Sequence, residues 1–91
     1  MFYYVYVLRS QKDSQWYTGL TGDLRKRLSE HNDKKNFSTK SRGPFDVIYY
    51  EASRNLTDAM SREKYLKSGM GKRYLKTRIK RFLSPAGDES R

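Results

Sequence analysis

Cysteine is absent from this chain. Its absence excludes disulfide scaffolds, thiolate zinc sites and cysteine nucleophiles together. Histidine occurs once, at position 31, so a cluster of imidazole ligands is excluded as well. No apolar run approaches the roughly 18 residues of a membrane span, and the N-terminus carries no signal-peptide pattern. No internal repeat and no linker divides the 91 residues. One small domain with a thin core is what that length allows.

What the chain does have is positive charge and tyrosine. Twenty Lys and Arg stand against ten Asp and Glu, a net charge of +10. Aromatic residues make up 14% of the chain and include eight Tyr, which suits strands and half-buried surfaces and argues against disorder. The charge is uneven. Between Arg62 and Phe82 there are nine basic residues and one carboxylate, Glu63. Such an excess attracts polyanions, nucleic acid first among them. An anionic membrane is disfavoured, because no helix joins a basic face to large exposed apolar side chains. The plain alternative is charge for solubility alone.

Residues 2–9 are β-branched or aromatic almost throughout, which predicts a central strand covered on both faces. Phe2, Tyr4, Tyr6 and Leu8 point one way; Tyr3, Val5 and Val7 point the other. Ser10–Gln15 is a hairpin loop, and Trp16–Leu20 is the second, antiparallel strand. Gly19 weakens that strand, so its place has a packing or ligand-approach reason. Thr21-Gly22-Asp23 starts a helix that runs to about Asn32. Leu24 and Leu28 define its buried stripe, with Arg27 and His31 beside Leu24. Residues 33–44 form a basic loop, and Phe45–Glu51 a third strand in which Phe45, Val47 and Tyr49 share a face. A second helix opens at Ser53–Thr57 and closes at Gly69, with Leu56, Ala59, Met60 and Leu66 buried. A third, roughly Gly71–Leu83, buries Leu75, Ile79 and Phe82 and turns Lys72, Arg73, Lys76 and Lys80 outward. Residues 84–91 have turn formers and no apolar anchor, and a mobile tail is expected there, after a single domain over 1–83.

Two features do not fit a simple core. Glu63 falls in the middle of an apolar stripe, and a buried charge must be paired or hold a metal. On the residues alone, an ion pair with a nearby Lys or Arg stands somewhat ahead of a metal site. Arg27 and His31 lie one turn apart at the edge of another stripe, where a snorkelling Arg and a half-buried His are the simpler account.

The order of these elements is what gives them meaning. Tyr4-Val5-Tyr6 on the first strand, Tyr17-Thr18-Gly19 on the second, Arg27 and His31 on one helix and Glu63 on the next resemble the GIY-YIG nuclease domain over residues 2–68. The segments Ser38-Thr39-Lys40, Pro44, Ile48-Tyr49-Tyr50-Glu51 and Glu63–Gly69 are similar to the small stand-alone GIY-YIG proteins of bacteria. Two departures stand out: the first motif begins Tyr-Val rather than Gly-Ile, and no Asn or Gln follows Glu63.

The resemblance implies an α+β fold, a three-stranded antiparallel sheet flanked by about three helices. It also implies a metal-dependent endonuclease or nickase acting on DNA. Phosphodiester hydrolysis needs an activated water and neutralised phosphate charge, and Mg²⁺ or Mn²⁺ supplies both with only one or two protein carboxylates. By resemblance, Glu63 holds the metal and Arg27 clamps the scissile phosphate with its planar fork. Tyr6 orients or deprotonates the water, and Tyr17 hydrogen-bonds within the site. His31 competes with Tyr6 as general base, its ordinary pKa suiting the task better than a phenol's. Lys40, Arg42, Lys64, Lys67, Lys72 and Arg73 track the nucleic-acid backbone without reading sequence. Weak sequence preference follows, or a protein partner that supplies target choice, in a cytoplasmic setting. The second reading is a nuclease-like module that binds nucleic acid and cuts poorly or not at all. The third is a small RNA-associated basic protein with no site.

Overall fold

The computed structural model describes residues 1–33 and 43–84. Lys40, Arg42 and residues 85–91 lie outside the described residues. Three strands, β1 (Tyr3–Ser10), β2 (Trp16–Thr21) and β3 (Phe45–Ser53), form one antiparallel sheet in the order β2-β1-β3. The helices are α1 (Leu24–Asn32), α2 (Leu56–Lys67), α3 (Gly69–Arg78) and the single turn α4 (Lys80–Leu83). The fold is α+β, as the sequence implies.

β1 is central because both of its faces are apolar, and it separates two small cores. Val5 and Val7 pack with Ala59, Leu66 and Leu75 on the face covered by α2 and α3. Tyr6 and Leu8 pack with Phe45, Tyr17, Leu24 and Leu28 on the face covered by α1. Burying each large aliphatic side chain stabilises the fold by about 1.5–3 kcal/mol.

One strand breaks the expected alternation. Val7 pairs with Tyr49 but Leu8 pairs with Val47, so Ile48 is an extra residue in β3. Such a bulge flips every side chain beyond it to the other face. Tyr49 therefore joins the core under α2 rather than the face of Phe45 and Val47. Tyr50 moves to the α1 face, opposite Tyr6 and against the ring of Tyr4.

The C-terminal helices also differ from expectation. Ser68, not Gly69, ends α2, and it starts α3 as well: its hydroxyl donates to the Tyr65 carbonyl and accepts from the Gly71 amide. Gly71 is buried where the two helices meet, and a Cβ there would run into the Tyr65 carbonyl and the Leu66 backbone. Helical geometry then breaks at Ile79, and Phe82 lies 52% exposed with the Arg9 guanidinium stacked on its ring. Leu56 and Met60 are exposed too. Ala59 and Leu66 alone on α2 are fully buried, because the half-buried Arg62 and Glu63 occupy the flanks of the stripe.

Candidate active site

The site on the α1 face is built around one phenol. Gly19 is the β2 partner of Tyr6, and a Cβ at Gly19 would run into the Tyr6 hydroxyl and ring. The missing side chain therefore lets the Tyr6 ring cross β2, which is the packing reason the sequence asks of Gly19. Asp23 caps α1 by accepting from the Lys26 amide, and this sets the helix over the sheet. At the other end Asn32 clamps β3, its Oδ1 accepting from the Phe45 amide at 2.7 Å. Between these anchors α1 holds His31 and Arg27 at the Tyr6 hydroxyl.

The Tyr6 hydroxyl lies 3.1 Å from His31 Nε2, and Arg27 Nε donates to it at 3.4 Å. Tyr6 and His31 are both buried, at 3% and 5% exposure. Arg27 can only donate, so the phenol oxygen accepts from it. In the neutral tautomer whose Nε2 carries no proton, His31 accepts the phenol's own proton. Burial favours the neutral imidazole, and the positive charge of Arg27 adds to it, so the His31 pKa falls below its ordinary value. Arg27 is held more firmly protonated by Tyr6 and by Glu30, whose carboxylate pairs with Nη1 at 3.0 Å. Among the described residues Nη2 remains uncommitted, beside a recess of about 670 Å³ lined by Thr21, Lys26, Arg27 and Glu30. Glu30 and Lys26 were not among the sequence candidates; their place beside Arg27 on α1 is the signal that could have found them.

A profile of the GIY-YIG catalytic domain matches residues 2–77. The chain belongs to the GIY-YIG family, a family of nucleases. Relatives include UPF0213 protein CPE1444 of Clostridium perfringens, 43% identical over 65 residues that make up 70% of this chain and 69% of the relative. UPF0213 protein YazA of Bacillus subtilis is 41% identical over 66 residues, 71% of this chain and 66% of the relative. The solution NMR structure of UPF0213 protein BH0048 from Bacillus halodurans superposes with a TM-score of 0.55 at 34% identity, covering 87% of this chain and 86% of that one.

Of the residues that carry the GIY-YIG pattern, Tyr6 touches both His31 and Arg27. Tyr17 shares their face, but its ring packs edge-on against Phe45, with centroids 5.4 Å apart, and no hydrogen bond joins it to the other three. Glu63 is on α2, which packs against the opposite face of the sheet. Its neighbour Arg62 reaches Glu51 on β3, so Glu63, about 100° further around the helix, flanks the stripe on the β2 side. Its ion pair is with Lys67, one turn on, at 3.2 Å. Lys64, Lys67, Lys72 and Arg73 are all exposed.

GIY-YIG nucleases generally depend on a divalent metal. Among the described residues no three His, Asp or Glu side chains gather as a metal cage. A lone, partly exposed Glu63 with only an exposed Lys as counter-charge still fits Mg²⁺. That ion takes one or two carboxylates and completes its shell with water and substrate phosphate.

Glu63 thus makes the ion pair with a nearby Lys that the sequence suggested, and a second, two-pronged and half-buried pair joins Glu51 to Arg62. Arg62 donates to both Glu51 oxygens at 2.8 Å, and its guanidinium lies 5.2 and 4.9 Å from the Tyr65 and Tyr74 ring centroids. Tyr49 also donates to Glu51, at 2.9 Å. Burial and this bond push the Tyr49 pKa up to about 12. Burial alone would raise the Glu51 pKa, but the bonds from Arg62 and Tyr49 outweigh it and hold it low.

The lowered His31 pKa makes a pH prediction. The unfolded chain takes up the proton first, so stability is full above about pH 6.5 and declines as pH falls from there toward the folded value. The slope is at most about 1.4 kcal/mol per pH unit for one proton. Melting curves between pH 8 and 5 should show this decline in the native chain and lose it in His31→Gln. An equal decline in both would assign it elsewhere.

Proposed function

We propose that this chain is a metal-dependent endonuclease or nickase that hydrolyses DNA phosphodiester bonds with weak sequence preference. The observation that carries the reading is the buried Tyr6 hydroxyl held between a cationic donor, Arg27, and an imidazole kept neutral by burial, His31.

Tyr6 and His31 then act in series rather than as rivals. A water proton passes to the Tyr6 oxygen as the Tyr6 proton passes to His31 Nε2; the water oxygen attacks phosphorus, the bond from phosphorus to one sugar oxygen breaks, and that oxygen leaves as a hydroxyl with a proton from solvent water. Arg27 stabilises the charge on Tyr6 through Nε and binds the phosphate through Nη2. The proton on His31 is shed readily, because Arg27 disfavours a second positive charge beside it. Glu63 would hold Mg²⁺ or Mn²⁺, which when bound neutralises phosphate charge as a Lewis acid. Tyr17 supports the site through Phe45, whose ring also packs edge-on against His31. Lys64, Lys67, Lys72 and Arg73, together with Lys40 and Arg42, would follow the DNA backbone. A protein partner would supply target choice.

The test is conversion of supercoiled plasmid to nicked circles with Mg²⁺, Mn²⁺ or EDTA. Nicks are expected with either metal and none in EDTA. DNA retarded on a gel but left uncut in every lane would favour the binding module instead.

A further inference from the structure

The α1 helix is too short to cover its face of the sheet. Its 9 residues span about 13–14 Å, and among the described residues it sets Leu24, Arg27, Leu28 and His31 on this face. Among the described residues the corner between α1 and β3 is a groove of about 720 Å³, lined by Tyr4, Tyr50, Val47, Leu24 and Leu28 and by the exposed Arg25. The bulge at Ile48 is what delivers Tyr50 to this corner. Tyr4 and Tyr50 meet edge to face, with centroids 6.0 Å apart, and Tyr50 is 55% exposed. An aromatic pair this open in so thin a core is not explained by packing.

The groove also connects to the phosphate site. Gly22 and Asp23, at the start of α1, line both this groove and the recess beside Arg27. A path therefore runs from Arg27, past Lys26 and around the start of α1, to Arg25 and the tyrosine pair. Lys26, Arg27 and Arg25 along it outnumber Asp23, which caps α1, and Glu30, which pairs with Arg27, and so suit a phosphodiester backbone; the rings at its end suit the face of an unpaired base, a combination typical of single-strand binding. A paired base keeps its faces stacked on its neighbours and cannot offer one to Tyr50.

We propose that the Tyr4–Tyr50 groove is an unpaired-base subsite, so that the preferred substrate is a single strand or a single-stranded segment of a larger nucleic acid. The inference rests on the nuclease reading above for its substrate class. The aromatic corner takes a base next to the strand held by Arg27, and duplex is bound only through its backbone.

The test is fluorescence anisotropy in EDTA at fixed salt, with labelled oligothymidine and a labelled hairpin duplex. Tyr50→Ala should weaken oligothymidine binding on the order of tenfold and leave duplex binding within about twofold. Tyr50→Phe should bind both as the native chain does. Tyr50 is exposed and contributes no buried contact to the cores, so both variants should melt close to the native temperature. Equal losses on both ligands, no loss on oligothymidine, or no binding of oligothymidine by the native chain would overturn the proposal. Plasmid nicking keeps the two ideas apart. Cutting without a Tyr50 effect removes the subsite alone. A selective Tyr50 effect without cutting removes the hydrolytic reading and keeps the subsite.

Discussion

Gly19→Ala is expected to slow phosphodiester cleavage by about a hundredfold or more while the chain still folds. The new methyl group would occupy the space of the Tyr6 hydroxyl and ring, so the ring must swing away and give up both His31 and Arg27. Overpacking of this kind costs roughly 1–3 kcal/mol, because the ring is a side chain that can move rather than backbone that cannot. Tyr6→Phe is the matched control. It keeps the ring in place, removes the hydroxyl, and should lose activity to the same degree with a stability cost of about 1 kcal/mol. Cleavage rates beside melting curves for the two variants check this. A Gly19→Ala protein that cuts at the native rate would show that the seat of the Tyr6 ring is irrelevant to the chemistry.

The second large effect separates two carboxylates on neighbouring elements. Glu63→Ala should abolish metal-dependent cutting and leave melting in EDTA within about 0.5 kcal/mol of native, since its partner is an exposed Lys at one-turn spacing. DNA binding in EDTA should hold or tighten, because a negative charge on a basic surface is gone. Glu51→Ala should do the reverse. It strips Arg62 of a two-pronged partner between two aromatic rings, at a cost of about 1.5–3 kcal/mol for hydrogen bonds between charged groups. Cutting by the Glu51 variant, measured well below its melting point, should stay near native. If Glu63→Ala melts far lower and Glu51→Ala does not, the structural and catalytic roles have been assigned the wrong way round.

The elements themselves were legible because their signals are local. The apolar run of β1, the Asp23 cap and the stripe of α1 each sit within a few residues, and they place Arg27 and His31 on the helix that reaches Tyr6. The reason for Gly19 was half legible: a small residue was required, but only the pairing of β1 with β2 shows that a tyrosine ring fills the gap. The bulge at Ile48 left no sequence mark, since Phe45, Val47 and Tyr49 alternate correctly without it. It alone decides that Tyr49 and Glu51 lie on the α2 face while Tyr50 lies on the α1 face beside Tyr4. The partner of Arg62 was hidden for a similar reason. In a segment crowded with cations, Glu63 is the conspicuous carboxylate by sequence, whereas the pairing in space is with Glu51, eleven residues back and across a turn.

Arg27 touches Tyr6 and lines the recess beside it, with no bond to Nη2 among the described residues. The measurement is single-turnover cleavage of a labelled oligonucleotide by native and Arg27→Ala protein, with enzyme in large excess so that binding does not limit the rate. The account predicts a fall of about a thousandfold, the loss expected when a preorganised donor to the developing charge is removed. Cleavage by Arg27→Ala at the native rate, by protein that melts as the native chain does, would contradict it.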